Sequence, residues 1–397
     1  MRPTLIAALC VLATGSSALA APNPETQPPN RPETPAFAGQ TRAPGVMSNL
    51  RYQVLTVARG LNHPWGLAFL PDGRMLVTER PGRMRIVTPK GALSAPVAGV
   101  PKVVTGEQLG LYGLALSPGF AKDGLVVFAY SEPAGRGSRL AVARARLAEA
   151  GGKPALQDLK VIFRAEPPRP GVANIGGRVV FASDGTLFVT VGDRFESRDL
   201  AQRLDNDLGK MVRITPDGGI PKDNPFVGRA GVRPEIYSYG ERNGEAAAIN
   251  PYDHRLWVVE HGARGGDEIN VIQPGRNYGW PVISYGEDYS GALFNGGKTQ
   301  QAGMEQPIYY WDPVIAPSGM AFYTGSLFPA WKGSLFVGGL ASERVSRLTL
   351  AGERVTGEEW LFRELKERIR DVVQGPDGAL WLLTDNDRGR VLKVVPK

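Results

Sequence analysis

Between residues 178 and 194 the chain reads "RVVFASDGTLFVTVGDR". Apolar residues alternate with polar ones on both sides of Ser-Asp-Gly, and a polar tail follows. Alternation of period two around an Asx-Gly turn predicts an antiparallel hairpin. The pattern recurs from Gly66 ("GLAFLPDGRMLVTERPGRMRIV"), Gly113 ("GLALSPGFAKDGLVVFAYS") and Ala246 ("AAAINPYDHRLWVVEHG"), then from Gly319 ("GMAFYTGSLFPAWKGSLFVGGL") and Asp371 ("DVVQGPDGALWLLTDNDRGRVLKV"). Six copies roughly fifty to seventy residues apart predict radially repeated sheets, an all-β, six-bladed β-propeller. A ring of sheets leaves only short protected edges, which suits a monomer. The competing β-sandwich would need fewer and more evenly spaced strands.

A propeller places ligands at one end of its central channel, on the loops leaving the inner strands, and such loops carry function more often than the core does. The polar repeat ends are therefore the first candidates: Glu79-Arg80, Asp193-Arg194, Glu260-His261-Gly262 and Asp385. Each could equally be a turn cap or a solvated side chain.

Composition adds limits. The chain has 397 residues with 50 Gly and 33 Pro, which favours turns over long helices. Its formal charge is +7, but the cations are interspersed with acids, so no basic stripe points to nucleic acid. Residues 1–20, "MRPTLIAALCVLATGSSALA", have an early cation, a short apolar core and a small-residue end. They predict a secretory signal peptide cut after Ala20, and hence a periplasmic or secreted protein. The apolar run is too short for a membrane span. The single cysteine, Cys10, lies inside this segment. Residues 21–49 are Pro-rich and poor in large apolar side chains, so a flexible lead-in is expected before a propeller domain at 50–397.

Three polar clusters carry candidate chemistry. In "WVVEHGARGGDEINVIQPGRNYGWP" (257–281), Asp267 and Glu268 adjoin a Gly-rich backbone, a setting that suits Ca²⁺ or, alternatively, a solvated acidic turn. Zinc or copper is disfavoured, because His63, His254 and His261 are the only histidines and stand at no ligand spacing. In "SYGERNGEAAAINP" (238–251), Arg242 and Asn243 follow a strand end. In "KERIRDVVQGPDG" (366–378), Arg368 and Arg370 share one face of an extended strand. That guanidinium pair could bind a polycarboxylate or phosphate, or could pair with acids of a neighbouring blade.

Taken together, "NHPWGLAFLPDGRMLVTERPGRMRIV", "PEIYSYGERN", "EHGARGGDEIN", "NYGWP", "SGMAFY" and "RIRDVVQGPDG" resemble the soluble aldose sugar dehydrogenases that depend on pyrroloquinoline quinone (PQQ), the glucose/sorbosone dehydrogenase family. The resemblance spans roughly residues 50–396 and also implies a six-bladed propeller. It implies that backbone carbonyls at Gly262 and Ala263 hold a cofactor Ca²⁺, that Arg242 and Asn243 face the quinone, and that Arg368 and Arg370 neutralise its carboxylates. Gln108, in "EQLGLYG", matches a glutamine near the sugar. Glu268 and the Tyr278 carbonyl match a second, structural Ca²⁺ site.

Four positions depart from the family pattern. Asn174 stands where the family has its general-base histidine, and Ala341 stands where it has a cofactor-pairing lysine. Gly244 and Glu245 replace Pro and Gln. Asparagine cannot accept a proton at neutral pH, and losing a positioned base lowers a rate by about 10²–10⁴. Losing one charged contact weakens cofactor binding by about 1.5–3 kcal/mol. Glu245 or His261 could substitute as base. The expected function is PQQ- and calcium-dependent oxidation of an aldose at C1 to a lactone, with the electron acceptor unassigned. The rival is a non-catalytic sugar- or envelope-binding propeller with a decayed cofactor site. A metal lactonase is more distant, since the acids and amides for one central metal are not evident.

Overall fold

The computed structural model describes residues 21–397; the expected signal peptide lies outside them. The first strand, β1 (Tyr52–Leu61), runs beside the last. Blade 1 is β2 (Pro64–Phe69), β3 (Met75–Glu79) and β4 (Arg83–Val87). Blade 2 is β5 (Leu111–Leu116), β6 (Leu125–Ala134), β7 (Gly137–Ala150) and β8 (Lys153–Arg164). Blade 3 is β9 (Gly176–Phe181), β10 (Leu187–Val191), β11 (Lys210–Ile214) and β12 (Ile236–Tyr239). Blade 4 is β13 (Gly244–Ile249), β14 (Leu256–Glu260), β15 (Asp267–Ile272) and β16 (Tyr309–Trp311). Blade 5 is β17 (Pro317–Phe322), β18 (Leu335–Gly339), β19 (Arg344–Ala351) and β20 (Arg354–Leu361). Blade 6 is β21 (Ile369–Gln374), β22 (Leu380–Thr384) and β23 (Gly389–Pro396), with β1 as its outer edge.

This is the expected six-bladed propeller. All blades are antiparallel, and the inner strands touch in sequence from β2 through β5, β9, β13, β17 and β21 back to β2. Pairing of β1 with β23, from Tyr52↔Pro396 to Leu61↔Gly389, locks the two ends of the domain into one sheet. Each hairpin repeat supplies the inner two strands of a blade, and their inward apolar residues pack against the next blade. Trp257 and Val259 of blade 4 meet Phe322 and Val337 of blade 5, and Phe128 of blade 2 meets Leu76 and Met84 of blade 1. Similar clusters fill the other four interfaces. Each fully buried large apolar side chain contributes about 1.5–3 kcal/mol, so the six interfaces together hold the ring closed.

The lead-in departs from expectation. Residues 21–49 are not a free tether but a strap against blades 4 and 5. Thr41 bridges Tyr310 and Gly45 bridges Glu358, both in parallel. Gln40 is fully buried, accepting from the Tyr285 hydroxyl (3.0 Å) and donating to Pro307 O (2.9 Å). Asn30 donates from its backbone (2.9 Å) and side chain (2.7 Å) to Asp312. Polar side chains and backbone groups make this attachment, so a composition poor in apolar residues did not signal it.

Among the described residues, no helix is long and apolar enough to cross a membrane.

Candidate functional site

All six inner strands break their pairing near their first residues, at the same mouth of the channel. Trp65 is the extra residue between Pro64↔Glu79 and Gly66↔Thr78. Glu245 is the extra residue between Gly244↔Glu260 and Ala246↔Val259, and Arg370 the one between Ile369↔Thr384 and Asp371↔Leu383. A bulge bends its strand and re-aims the unpaired side chain. Here the bulges turn Glu245 and Arg370 into the channel, where they form an ion pair. Arg370 also reaches Asp385 at 2.7 Å, and Asp385 takes the His63 Nδ1 contact at 2.9 Å. The Trp65 ring lies 4.4 Å from the Arg178 guanidinium and 5.7 Å from that of Arg370. Arg178 in turn pairs with Asp371 at 3.2 Å.

This corrects the expectation of two equivalent arginines. Arg370 is buried, with its two terminal nitrogens given to Glu245 of blade 4, across the channel, and to Asp385 of its own blade, so pairing with acids is realised, though not with those of an adjacent blade. Arg368, which precedes the strand, stays 47% exposed and donates to Leu340 O at 3.1 Å, beside Ala341. Of the pair, Arg368 is the solvent-facing one, and its Nε lies 3.8 Å from Asp385 Oδ2, the carboxylate it shares with Arg370.

Glu245 is likewise not a free base. Its carboxylate holds Arg370, accepts from Asn243 Nδ2 (3.3 Å) and lies 3.6 Å from His261 Nε2. Burial alone would push its pKa up, but Arg370 and His261 bring it well below the carboxylate range, so it is a weak proton acceptor. Asp385 behaves similarly: burial opposes ionisation, yet Arg370 and His63 lower it to about 2. Burial disfavours a charged His261, but the Glu245 carboxylate outweighs it and raises the imidazole.

A second group gathers around Asp193, at the end of blade 3's second strand. Its Oδ1 accepts from Asn174 Nδ2 (2.9 Å) and from the Phe195 backbone (2.7 Å), and its Oδ2 from the Trp280 indole (2.7 Å). Burial raises its pKa, against the pull of Arg242 and these donors. Asn174 sits in the left-handed region (φ 51°), which asparagine tolerates better than most residues, and its N–H donates to Gln108 Oε1 at 2.7 Å. The structure therefore brings the two residues matched to the sugar side, Gln108 and Asn174, into contact. Arg242 lies 5.3 Å from the Trp280 ring, donates to His261 O (3.1 Å) and gives its backbone N–H to Glu260 (2.6 Å). Asn243 spans blades 3 and 4, accepting from Gly176 N (2.9 Å).

The loop from His261 to Gly266 is closed around its glycines. A Cβ at Gly262 would stand 2.2 Å from Gly265 O, so no side chain fits there and only backbone groups of Gly262 and Ala263 can face a ligand. Asp267 does not act with Glu268. Neighbours in β15 point to opposite faces, and Asp267 is spent on the N–H groups of Gly262 (2.8 Å), Ile315 and Ala316 (both 2.7 Å). Glu268 instead faces Glu260 across the sheet, with the Asn270 amide donating to both (2.8 and 3.0 Å). Burial and Glu260 raise Glu268 well above the usual range. The Tyr278 hydroxyl is committed to Val271 O at 2.7 Å, leaving its carbonyl as the group for a metal. Among the described residues, no group of three or more His, Cys, Asp or Glu is arranged to hold a metal.

Three buried nitrogens around Glu245 and His261 have no hydrogen-bond partner among the described residues: Arg242 Nε, His261 Nε2 and Arg370 Nε. Leaving such a group unpaired costs about 1–3 kcal/mol, more when it is charged, which a bound oxygen-rich anion would relieve. The donor set fits an anionic, carbonyl-bearing cofactor. Asp193, Asp385 and Trp280 complete the site but were not assigned a role from sequence. The two acids stood among the repeat-end candidates, whereas Trp280 follows no repeat position.

Fold and site define a six-bladed propeller with a cationic cluster at one mouth of its channel. The chain belongs to the glucose/sorbosone dehydrogenase family, a family of sugar dehydrogenases, whose model matches residues 61–393. It is 44% identical over 340 residues to the aldose sugar dehydrogenase YliI of Escherichia coli K12, covering 85% of this chain and 91% of that protein. It is similar to the crystal structure of the apo soluble aldose sugar dehydrogenase from Escherichia coli, with TM-score 0.84 and 42% identity over 87% of this chain and all of the other. It is also similar to the PQQ-bound aldose sugar dehydrogenase of Streptomyces coelicolor, with TM-score 0.71 and 32% identity over 87% of this chain and 99% of the other.

Proposed function

We propose that the protein is an exported dehydrogenase that oxidises the C1 hydroxyl of an aldose to a lactone with PQQ and Ca²⁺. The observation that carries this reading is the set of buried, unpartnered Arg242, His261 and Arg370 nitrogens at the channel mouth. Family membership and the PQQ-bound relative support the same assignment. PQQ, when bound, supplies a quinone able to take the C1 hydride. Arg242 and Arg368 provide charge for its carboxylates, with Asn243 beside them, while Gly262 and Ala263 offer carbonyls for the Ca²⁺. Arg370 contributes its remaining N–H but little net charge, because Glu245 and Asp385 neutralise it. Gln108 and Asn174 orient the sugar hydroxyl. Asn174 holds that hydroxyl by hydrogen bonding without taking its proton, which passes to water at the exposed mouth beside Gln108. Glu268 and the Tyr278 carbonyl form the second Ca²⁺ site, where a cation offsets the paired Glu260 and Glu268 carboxylates.

A second reading, a sugar-binding propeller without turnover, is favoured by one observation: Asn174 fills the base position with an amide turned to Asp193. Reconstitution with PQQ and Ca²⁺ separates the two. The dehydrogenase reading expects a shifted quinone absorbance and dye reduction with at least one aldose. Quinone binding without turnover selects the second reading, and absence of quinone binding refutes the first. Calcium at 100 times its Kd should stabilise the fold by about 2.7 kcal/mol. The Glu268→Gln variant should lose part of that gain, and an equal gain in the variant removes Glu268 from the metal site.

A further inference from the structure

The loop from His261 to Gly266 is walled on two sides. On one side stands Asp312: a Cβ at Gly265 would lie 2.8 Å from its Oδ1, so the carboxylate rests against bare Gly265 backbone. On the other stands the backbone of Tyr285 and Gly286, where a Cβ at Gly266 would lie 2.6 Å from Gly286 N. The loop is pinned to both walls by its own amides. Arg264 exchanges backbone hydrogen bonds with Glu287 (3.0 and 2.9 Å), and the Gly266 N–H donates to Trp311 O (3.0 Å). Gly265 and Gly266 are both left-handed, with φ 84° and 76°. Glycine has the widest conformational range of any residue, so this stretch depends on its walls to hold one shape.

Both walls are held from outside by the strap. Among the described residues, the donors to the Asp312 carboxylate all come from it: the Asn30 N–H (2.9 Å), the Asn30 side-chain amide (2.7 Å) and the Arg31 N–H (3.2 Å). Asp312 is buried, and a buried carboxylate is tolerated only while hydrogen-bonded. Without the strap it would turn to water and withdraw its support from Gly265. Across the loop, the Tyr285 hydroxyl is shared between Gln40 Oε1 (3.0 Å) and Gln306 Oε1 (2.7 Å). The Tyr285 ring stacks on Tyr310 with centroids 4.0 Å apart, and the Tyr310 N–H donates to Gln40 O (2.9 Å). Arg31 also donates to Gly297 O (2.6 Å), in the segment that follows Tyr285.

We infer that the strap is a positioning element for the cofactor cation: it clamps the loop from both sides and so holds the Gly262 and Ala263 carbonyls in the geometry that binds Ca²⁺. The inference rests on the PQQ and Ca²⁺ reading above. Asn30, Gln40 and Asp312 stand behind the loop and act through it. The apparent Kd of a site rises as the population of its binding form falls, so a loop in that form about a tenth of the time binds about 10-fold more weakly.

The test measures Ca²⁺ affinity by calorimetry in the presence of PQQ, and hydrogen exchange of the Gly262, Arg264 and Gly266 amides in the protein without either. Asn30→Ala and Gln40→Ala loosen one wall each, and Val126→Ala, in the core between blades 1 and 2, is the control for lost stability alone. Each strap variant should raise the Ca²⁺ Kd about 10-fold, the scale of one lost hydrogen bond, and speed exchange at the three amides. Val126→Ala should lower Tm and leave both readouts unchanged. An affinity loss in neither strap variant, or an equal loss in Val126→Ala, overturns the positioning role. A parent that binds neither PQQ nor Ca²⁺ refutes the cofactor reading separately, and exchange then decides for the strap. Faster exchange at the three amides confined to the strap variants upholds the clamp, and any other pattern overturns it.

Discussion

Replacing Asn174 by histidine should accelerate the reaction. Asn174 Nδ2 stands 2.9 Å from Asp193 Oδ1, and its N–H is fixed on Gln108 at 2.7 Å. A histidine at this position can donate one ring N–H to Asp193 and keep the other nitrogen free for the sugar hydroxyl. The backbone permits it, since histidine is among the residues found most often at positive φ after glycine and asparagine. A positioned base contributes about 10²–10⁴ in rate, or about 3–5 kcal/mol of barrier. The imidazole is larger than the amide it replaces and the site is buried, so repacking should cost about 1–3 kcal/mol of stability and hold the gain near the lower end. The assay is kcat of the loaded protein with saturating sugar and dye from pH 5 to 9. The variant should be about 100-fold faster at pH 8. Because the base works only when deprotonated, its rate should rise with pH through an ionisation near 6.5 that the parent lacks. A folded, PQQ-bound variant with unchanged kcat and no new pH step would refute the placement of Asn174 at the proton-transfer position.

Two further outcomes follow from the channel and the strap. Glu245→Gln should cost about 3 kcal/mol, since it strips one of two counter-charges from a buried guanidinium. The Glu245 pKa is depressed in the folded state, so its contribution is complete above the unfolded value of about 4.3 and is lost as pH falls below it. The stability gap between parent and variant in urea unfolding should therefore narrow from pH 5 to pH 3, and a constant gap would count against the ion pair. Gln40→Ala should cost about 2 kcal/mol by stranding the Pro307 carbonyl and the Ala36 N–H, and should speed hydrogen exchange in residues 30–45. No change in either measurement would mean that the strap is not held in solution.

Much of the fold was legible because a blade is a local object. Period-two alternation around Asx-Gly turns marks each inner hairpin, and six hairpins at propeller spacing leave few other ways to bury their faces. Two features were not legible. The pairing of β1 with β23 joins residues at opposite ends of the chain, and no local pattern encodes that choice. The strap was misread because low apolar content was taken as inability to order. Asn30, Gln40 and Arg42 instead fasten it by hydrogen bonds to Pro307 and Asp312, on either side of blade 4's outer strand.

The site was legible as a set of residues but not as a division of labour, and the bulges are the reason. On a regular strand Arg368 and Arg370 would be interchangeable, and Glu245 would point wherever its period placed it. The break at each inner strand gives Arg370 and Glu245 to one another and leaves Arg368 at the rim. Such a break needs no special residue, since the unpaired position holds Trp65 in one blade, Gly319 in another and a charged residue in two more. Charge that a sequence reading assigns to a ligand can thus be neutralised within the ring. On the proposed quinone reading, cofactor affinity should depend more on Arg242 and Arg368 than on Arg370, whose terminal nitrogens are already given to Glu245 and Asp385. Removing charge at Arg368 should weaken quinone binding more than it perturbs folding, whereas the same change at Arg370 should do the reverse.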